Sequence, residues 1–239
     1  MIKVITSDER HTSDRGWIHS EFSFSFSDYE DPSNAHFGCL LAHNENILKP
    51  EQGFKRHPHH DLEIVSYVVS GTLAHSDDLG NSHQLEPGDV QVMSAGTGVR
   101  HEERNPSSNE DVRFIQLWFL PDQRSESPTW RTHSFGREDR LNKLLPVVSG
   151  NGTEGTLPIN QEVTIYLCTL ETGQEVSLPH RDERRTHVFL IDGNTDLNCG
   201  EEKLSLRPGD ATRIRKSCDI TFKGTGSEEP AELLIVDMP

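Results

Sequence analysis

One order of elements occurs twice in this chain, and it leaves few folds open. Residues 64–69 (IVSYVV) are rich in β-branched side chains and end at Ser70-Gly71; a Pro87-Gly88-Asp89 turn follows, then a short apolar run at 90–93. In the second half, residues 187–191 (HVFLI) end at Asp192-Gly193, and Pro208-Gly209-Asp210 follows at nearly the same distance. Short β-prone runs cut by glycine and proline turns read as strands, and a pattern that returns reads as an internal duplication. Further runs at 37–43, 112–120 and 163–170 keep the rhythm. The expectation is an all-β chain of two tandem β-barrel, jelly-roll-like domains, residues 1–125 and 126–239. The polar, proline-bounded stretch 121–128 (PDQRSESP) serves as the linker. A short helix is predicted over 136–145, with acids near its start and Lys143 near its end, as the helix dipole favours.

The chain of 239 residues is long enough for two domains that each bury a core. The formal net charge is −16, and acids exceed bases in both halves, which argues against a nucleic-acid partner. Nothing approaches the roughly 18 apolar residues of a membrane span. The opening MIKVITSDERH has no apolar signal segment, so no membrane association and a cytoplasmic location are expected. The four cysteines, Cys39, Cys168, Cys199 and Cys218, form no CxxC pair and are expected to be free thiols.

The residues that carry chemistry lie in the first half. His57 and His59 stand two apart at the head of the first apolar run; His101 and Glu103 stand two apart after the glycine-rich turn 94–98. On a strand, residues i and i+2 share a face, so each pair can aim two side chains at one point. Singly, each is bland: His57 and His59 can be surface residues flanking Pro58, and His101 a histidine at a strand start. Together, three imidazoles and a carboxylate make a plausible set for one divalent metal. Glu63 shares odd numbering with His57 and His59, so parity alone leaves it open as the carboxylate ligand. Phe22, Phe24 and Phe26 recur at period two with serines between them, a core stripe or a pocket wall. The second copy has no HxH pair; His180 and His187 stand seven apart and do not face one way along a strand, so that copy is expected to be structural.

Taken in order, Gly53, His57, His59, Glu63, Gly71, Pro87-Gly88-Asp89, His101 and Asn105 resemble the two motifs of cupins. Ser94 stands where many cupins have proline, and four residues rather than two separate Gly96 from His101. Both departures are similar to the pirin family, as are FSFSDYEDP, HPH and SAGTGVRHEE. The resemblance spans nearly the whole chain and implies a bicupin with a degenerate second domain. It implies His57, His59, His101 and Glu103 as metal ligands, with Glu103 preferred to Glu63. It favours Fe(II), with Mn, Ni, Cu, Co or Zn left open by the residue types. The activity it implies is quercetin 2,3-dioxygenase-like cleavage of a flavonol-like aromatic by O2, with Glu103 also as general base. The alternative it implies is a non-catalytic, iron-binding redox-sensing regulator that docks a transcription-related protein. A two-copy chain is expected to be a monomer.

Overall fold

The computed structural model describes residues 1–179, 183–226 and 229–239. His180, set beside His187 above, lies outside the described residues. The described elements are strands apart from three 3-10 turns, Ser7–Glu9, Pro32–Asn34 and Glu138–Arg140. No helix among them is long and apolar enough to cross a membrane.

The helix expected over 136–145 is only the last of these turns. Asn142 takes left-handed backbone at φ 54°, and its side chain bonds Glu171 through both amide atoms. From Leu145 the chain pairs with Thr164–Leu170. Sheet pairing wins over a local charge pattern that is worth only tenths of a kcal/mol per group, roughly 0.3–1.

Two compact units form: residues 11–135 with 157–161, and residues 1–10 with 136–156 and 162–239. They do not follow a cut at 125/126. Thr129–Ser134 pairs with Asp89–Ser94 in the first unit, and Ile2–Ile5 pairs with Ala211–Ile214 in the second. Nor does the 121–128 stretch run free as a linker. Ser125 N–H donates to Asp61 Oδ1 at 2.7 Å and Thr97 N–H to Glu126 O at 2.9 Å. At Gly96 a Cβ would meet the Glu126 carbonyl oxygen at 2.1 Å, so only glycine lets the two backbones approach.

Each unit is built from a large sheet and a four-stranded sheet, a jelly-roll rather than a closed barrel. In the first unit the large sheet runs Thr129–Ser134, Asp89–Ser94, Glu63–Ser70, Val112–Phe119, Leu40–Leu48, Ile18–Phe22, His11–Asp14. Its small sheet runs Gly53–His59, Val99–Arg104, Leu73–Asp77, Ser82–Leu85. The second unit repeats the inner order: Ala211–Ile214, Arg185–Asp192, Ala231–Met238, Thr164–Leu170 in the large sheet, and Glu175–Leu178, Ile220–Thr225, Asn194–Cys199, Glu202–Leu206 in the small one. The two Pro-Gly-Asp turns close in the same way. Asp89 Oδ2 accepts from Glu86 N–H at 2.8 Å, and Asp210 Oδ2 from Arg207 N–H at 2.9 Å.

The interior of the first unit is apolar at both ends. Ile18, Leu48, Val68, Leu73, Leu85, Val112 and Phe114 cluster at one end; Ile64, Met93, Ala95 and Val99 at the other. Each large aliphatic or aromatic side chain so buried contributes about 1.5–3 kcal/mol. Between them lies a polar row, and the histidines meet there.

Two sequence expectations about side chains change. The aromatic stripe splits because the strand ends at Phe22: Phe24 is fully buried, whereas Phe22 and Phe26 line a cavity. Cys199 and Cys218 are not free thiols but form a disulfide, with Cα atoms 5.5 Å apart. Pairing of Asn194–Cys199 with Ile220–Thr225 sets Cys199 opposite Ile220 and so brings Cys218 beside it.

Candidate metal centre

His57 and His101 are direct cross-strand partners, and His59 pairs with Val99. Pro58, between the two histidines, sits on an edge strand, where its missing N–H costs no ladder bond. Opposite His101–Glu103 the partner strand holds one extra residue between Phe54 and His57, a bulge, while His101 and Glu103 keep regular register with Asp77 and His75 on their other side. The result is three imidazoles with ring centroids 4.6–5.0 Å apart and ligand nitrogens all within 4.8 Å of one another.

These rings are in the state a metal needs. Burial first, then the neighbouring His101 and His57, holds His59 down to about 4. Burial first, then His57 and His75, holds His101 down to about 3. Both are therefore neutral at pH 7, with lone pairs available. His57 turns Nδ1 to the Lys55 carbonyl at 2.8 Å, which leaves Nε2 to face the cluster. His59 Nε2 and both ring nitrogens of His101 are buried without a hydrogen-bond partner. A buried polar nitrogen left so is costly, and coordination of a cation is what these atoms fit.

Glu103 belongs to a second close group, with His75 and His101, so His101 is common to both. Its carboxylate is held from both sides. Gln91 Nε2 donates to Oε1 at 2.7 Å and Gln116 Nε2 to Oε2 at 2.8 Å. The amides are themselves fixed: Trp130 Nε1 donates to Gln91 Oε1 and Trp118 Nε1 to Gln116 Oε1, each at 3.0 Å. An ionised carboxylate has about four lone-pair sites, so this clamp orients Glu103 and still leaves sites for a cation or a proton. Its source is a row across the large sheet, in which Asn44 pairs with Gln116, Gln116 with Ser66 and Ser66 with Gln91.

Glu63 lies on the other face of that strand. Ser66 faces the clamp, and three residues away along a strand means the opposite side. Glu63 Oε2 accepts from Ser94 Oγ at 2.7 Å and from Asn160 N–H at 3.1 Å. Burial raises its pKa, and these two bonds only partly offset that. Its odd number matches His57 and His59, but parity does not carry from one strand to another.

Sequence reasoning missed Ser66, His75, Asp77, Gln91 and Gln116. The available signal was a polar residue amid each apolar strand: IVSYVV, DVQVMS and VRFIQLWF. His75 stacks on Trp130 at 5.1 Å and bonds Asp77 Oδ2 through Nε2 at 3.2 Å. Burial pushes Asp77 up, but hydrogen bonds from Asn81 and His75 outweigh it and hold the carboxyl below its usual value.

A cavity of about 190 Å³, partly open to solvent, adjoins His57 and His59. Trp17, Phe22, Phe26, Phe54 and Trp118 give it flat apolar walls, with His57, His59 and Glu103 on one side and Arg15 among the lining residues.

Register shows what the second unit has in place of these groups. Counted from Gly193 and Asp210, Val188 and Thr212 stand where Ser66 and Gln91 do, and Ile235 where Gln116 does. Ile220, Phe222 and Leu178 stand where His101, Glu103 and His57 do. All but Thr212 join one apolar core.

The family model described as Pirin matches residues 5–119, and one described as the quercetinase C-terminal cupin domain matches residues 146–238. A quercetin 2,3-dioxygenase of Escherichia coli is 33% identical over 239 residues, covering 100% of this chain and 99% of its own. A pirin-like protein of Caulobacter vibrioides is 34% identical over 231 residues, 96% of each chain. The crystal structure of the bacterial pirin YhhW from Escherichia coli, in complex with nickel(II), is similar at a TM-score of 0.92 and 31% identity, covering 100% of this chain and 99% of that one. Likeness of this extent, over two cupin units in the same order, means that the chain belongs to the pirin family.

Proposed function

We propose that this protein is a metal-dependent dioxygenase that opens flavonol-like aromatics with O2. One observation carries the reading: three imidazoles converge beside an anchored carboxylate, two of them (His59 and His101) neutral with buried, unpartnered nitrogens, and His57, His59 and Glu103 line an aromatic-walled cavity. His57, His59 and His101 would hold one divalent ion, with Glu103 as the fourth ligand; iron(II) is the ion proposed. Four protein ligands on a six-coordinate ion leave positions open, and the ion when bound supplies Lewis acidity and reactivity toward O2 there.

The chain's own groups do the rest. Trp118 and Phe26, in edge contact at 4.9 Å, form a wall against which a flat ring system lies. Glu103 takes the proton of the substrate hydroxyl at whichever carboxylate lone pair the clamp leaves free. Gln91 and Gln116 hold that carboxylate in place before and after the transfer, so no reorientation is needed. The family name shared with an enzyme called quercetin 2,3-dioxygenase supports the substrate class. The test is anaerobic mixing of the iron-loaded protein with quercetin, then admission of air. A shifted flavonol band on mixing and a ring-opened product with carbon monoxide afterwards are expected; absence of both would refute the reading.

A further inference from the structure

The polar row that clamps Glu103 does not end at Gln116. Its next member is Asn44, opposite Gln116 on Leu40–Leu48, with Phe22 on its other side. Asn44 is 2% exposed, and its Oδ1 is buried with no hydrogen-bond partner. Gln116 has both amide ends engaged, by Glu103 and Trp118, and Phe22 offers no donor. Two residues along the same face, Asn46 is already satisfied by Ser20 Oγ at 2.7 Å. Asn44, Asn46, Ser20, Phe22 and Gln116 all line the cavity. Asn44 therefore lines the ligand space and carries a buried, unmet acceptor, between an aromatic wall and the metal-side clamp.

We infer that Asn44 recognises a second hydroxyl of the substrate, one remote from the hydroxyl that binds at the metal. The site is then selective for flat aromatics hydroxylated at both places. This rests on the dioxygenase reading and adds its specificity. Asn44 stands one strand, about 4.8 Å, beyond Gln116, whose amide bonds Glu103, so a flat ring system can reach from one to the other. A buried acceptor that a ligand hydroxyl completes discriminates against analogues lacking that hydroxyl more strongly than an apolar wall does. A molecule with a single metal-binding hydroxyl would leave Asn44 unmet.

The experiment is anaerobic absorbance titration of the full, iron(II)-loaded chain with two probes. Kaempferol carries hydroxyls on both sides of the ring system and no catechol to compete for the ion; 3-hydroxyflavone carries only the metal-binding hydroxyl. Asn44→Leu is expected to weaken kaempferol about ten-fold and leave 3-hydroxyflavone within about two-fold. Asn44→Ser, too short to reach, should behave the same way, and its unchanged 3-hydroxyflavone affinity reports an intact site. Equal weakening of both probes, or no change in either, overturns the role of Asn44 while leaving the dioxygenase reading in place. Failure of the wild-type protein to bind either probe removes the flavonol reading and this assignment with it.

Discussion

Gln116 shows how much of the site depends on groups that never touch a ligand. Its amide fills one side of Glu103 and is aimed by Trp118. Gln116→Leu should lower metal affinity 10- to 100-fold, the usual cost of losing a partner that orients a ligand, as read by chelator competition. Ser66→Ala should cost less, because its hydroxyl is 3.5 Å from the carboxylate. A second residue-scale prediction concerns His187, which burial, then Arg213 and Arg10, hold down to about 3. Above pH about 6.5 it is neutral in both folded and unfolded chains. Below that, the unfolded chain takes up a proton that the folded chain refuses. Stability is therefore lost as pH falls from about 6.5 toward 3, at about 1.4 kcal/mol per pH unit from this group. Denaturant titrations of wild type and His187→Phe over that range should differ by this slope. The HxH and HxE pairs were legible because spacing alone puts each pair on one face. The glutamines were not, because Gln91 and Gln116 are separated in sequence and only strand register sets them about one carboxylate.

At the scale of elements, Gly53 governs how closely the strands bearing the ligands approach. A Cβ there would lie 2.4 Å from the Glu103 carbonyl oxygen and 2.5 Å from Arg104 Cα. Gly53→Ala must push Val99–Arg104 away from Gly53–His59. Destabilisation of about 1–3 kcal/mol is expected, together with a fall in bound metal, by denaturation midpoint and metal analysis. Strand existence was legible in β-branched runs and glycine turns. Strand ends were not: the phenylalanine alternation continues past Phe22, but after Ser23, whose N–H still bonds the His43 carbonyl, the chain leaves the sheet and Ser25 N–H bonds the Asn34 carbonyl instead. The helix over 136–145 failed for the same reason, since Asn142 and the pairing at Leu145 are set by distant residues.

The whole molecule is one architecture used twice, with the chemistry retained once. Where the first unit spends its middle on polar side chains, the second fills it with Val188, Leu197, Ile220, Phe222 and Ile235 and adds the Cys199–Cys218 link. With its ends 19 positions apart in sequence, that link stabilises by about 3 kcal/mol through loop closure. Dithiothreitol or Cys218→Ser should lower the unfolding free energy by that amount in denaturant titrations without releasing metal. The duplication was visible from two Pro-Gly-Asp turns, but not which end strands complete each unit. Because Ile2–Ile5 pairs with Ala211–Ile214, two stretches far apart in sequence must meet before that sheet is complete. The second unit therefore borrows an edge from the other extreme of the sequence, and removing residues 2–5 should loosen residues 211–214.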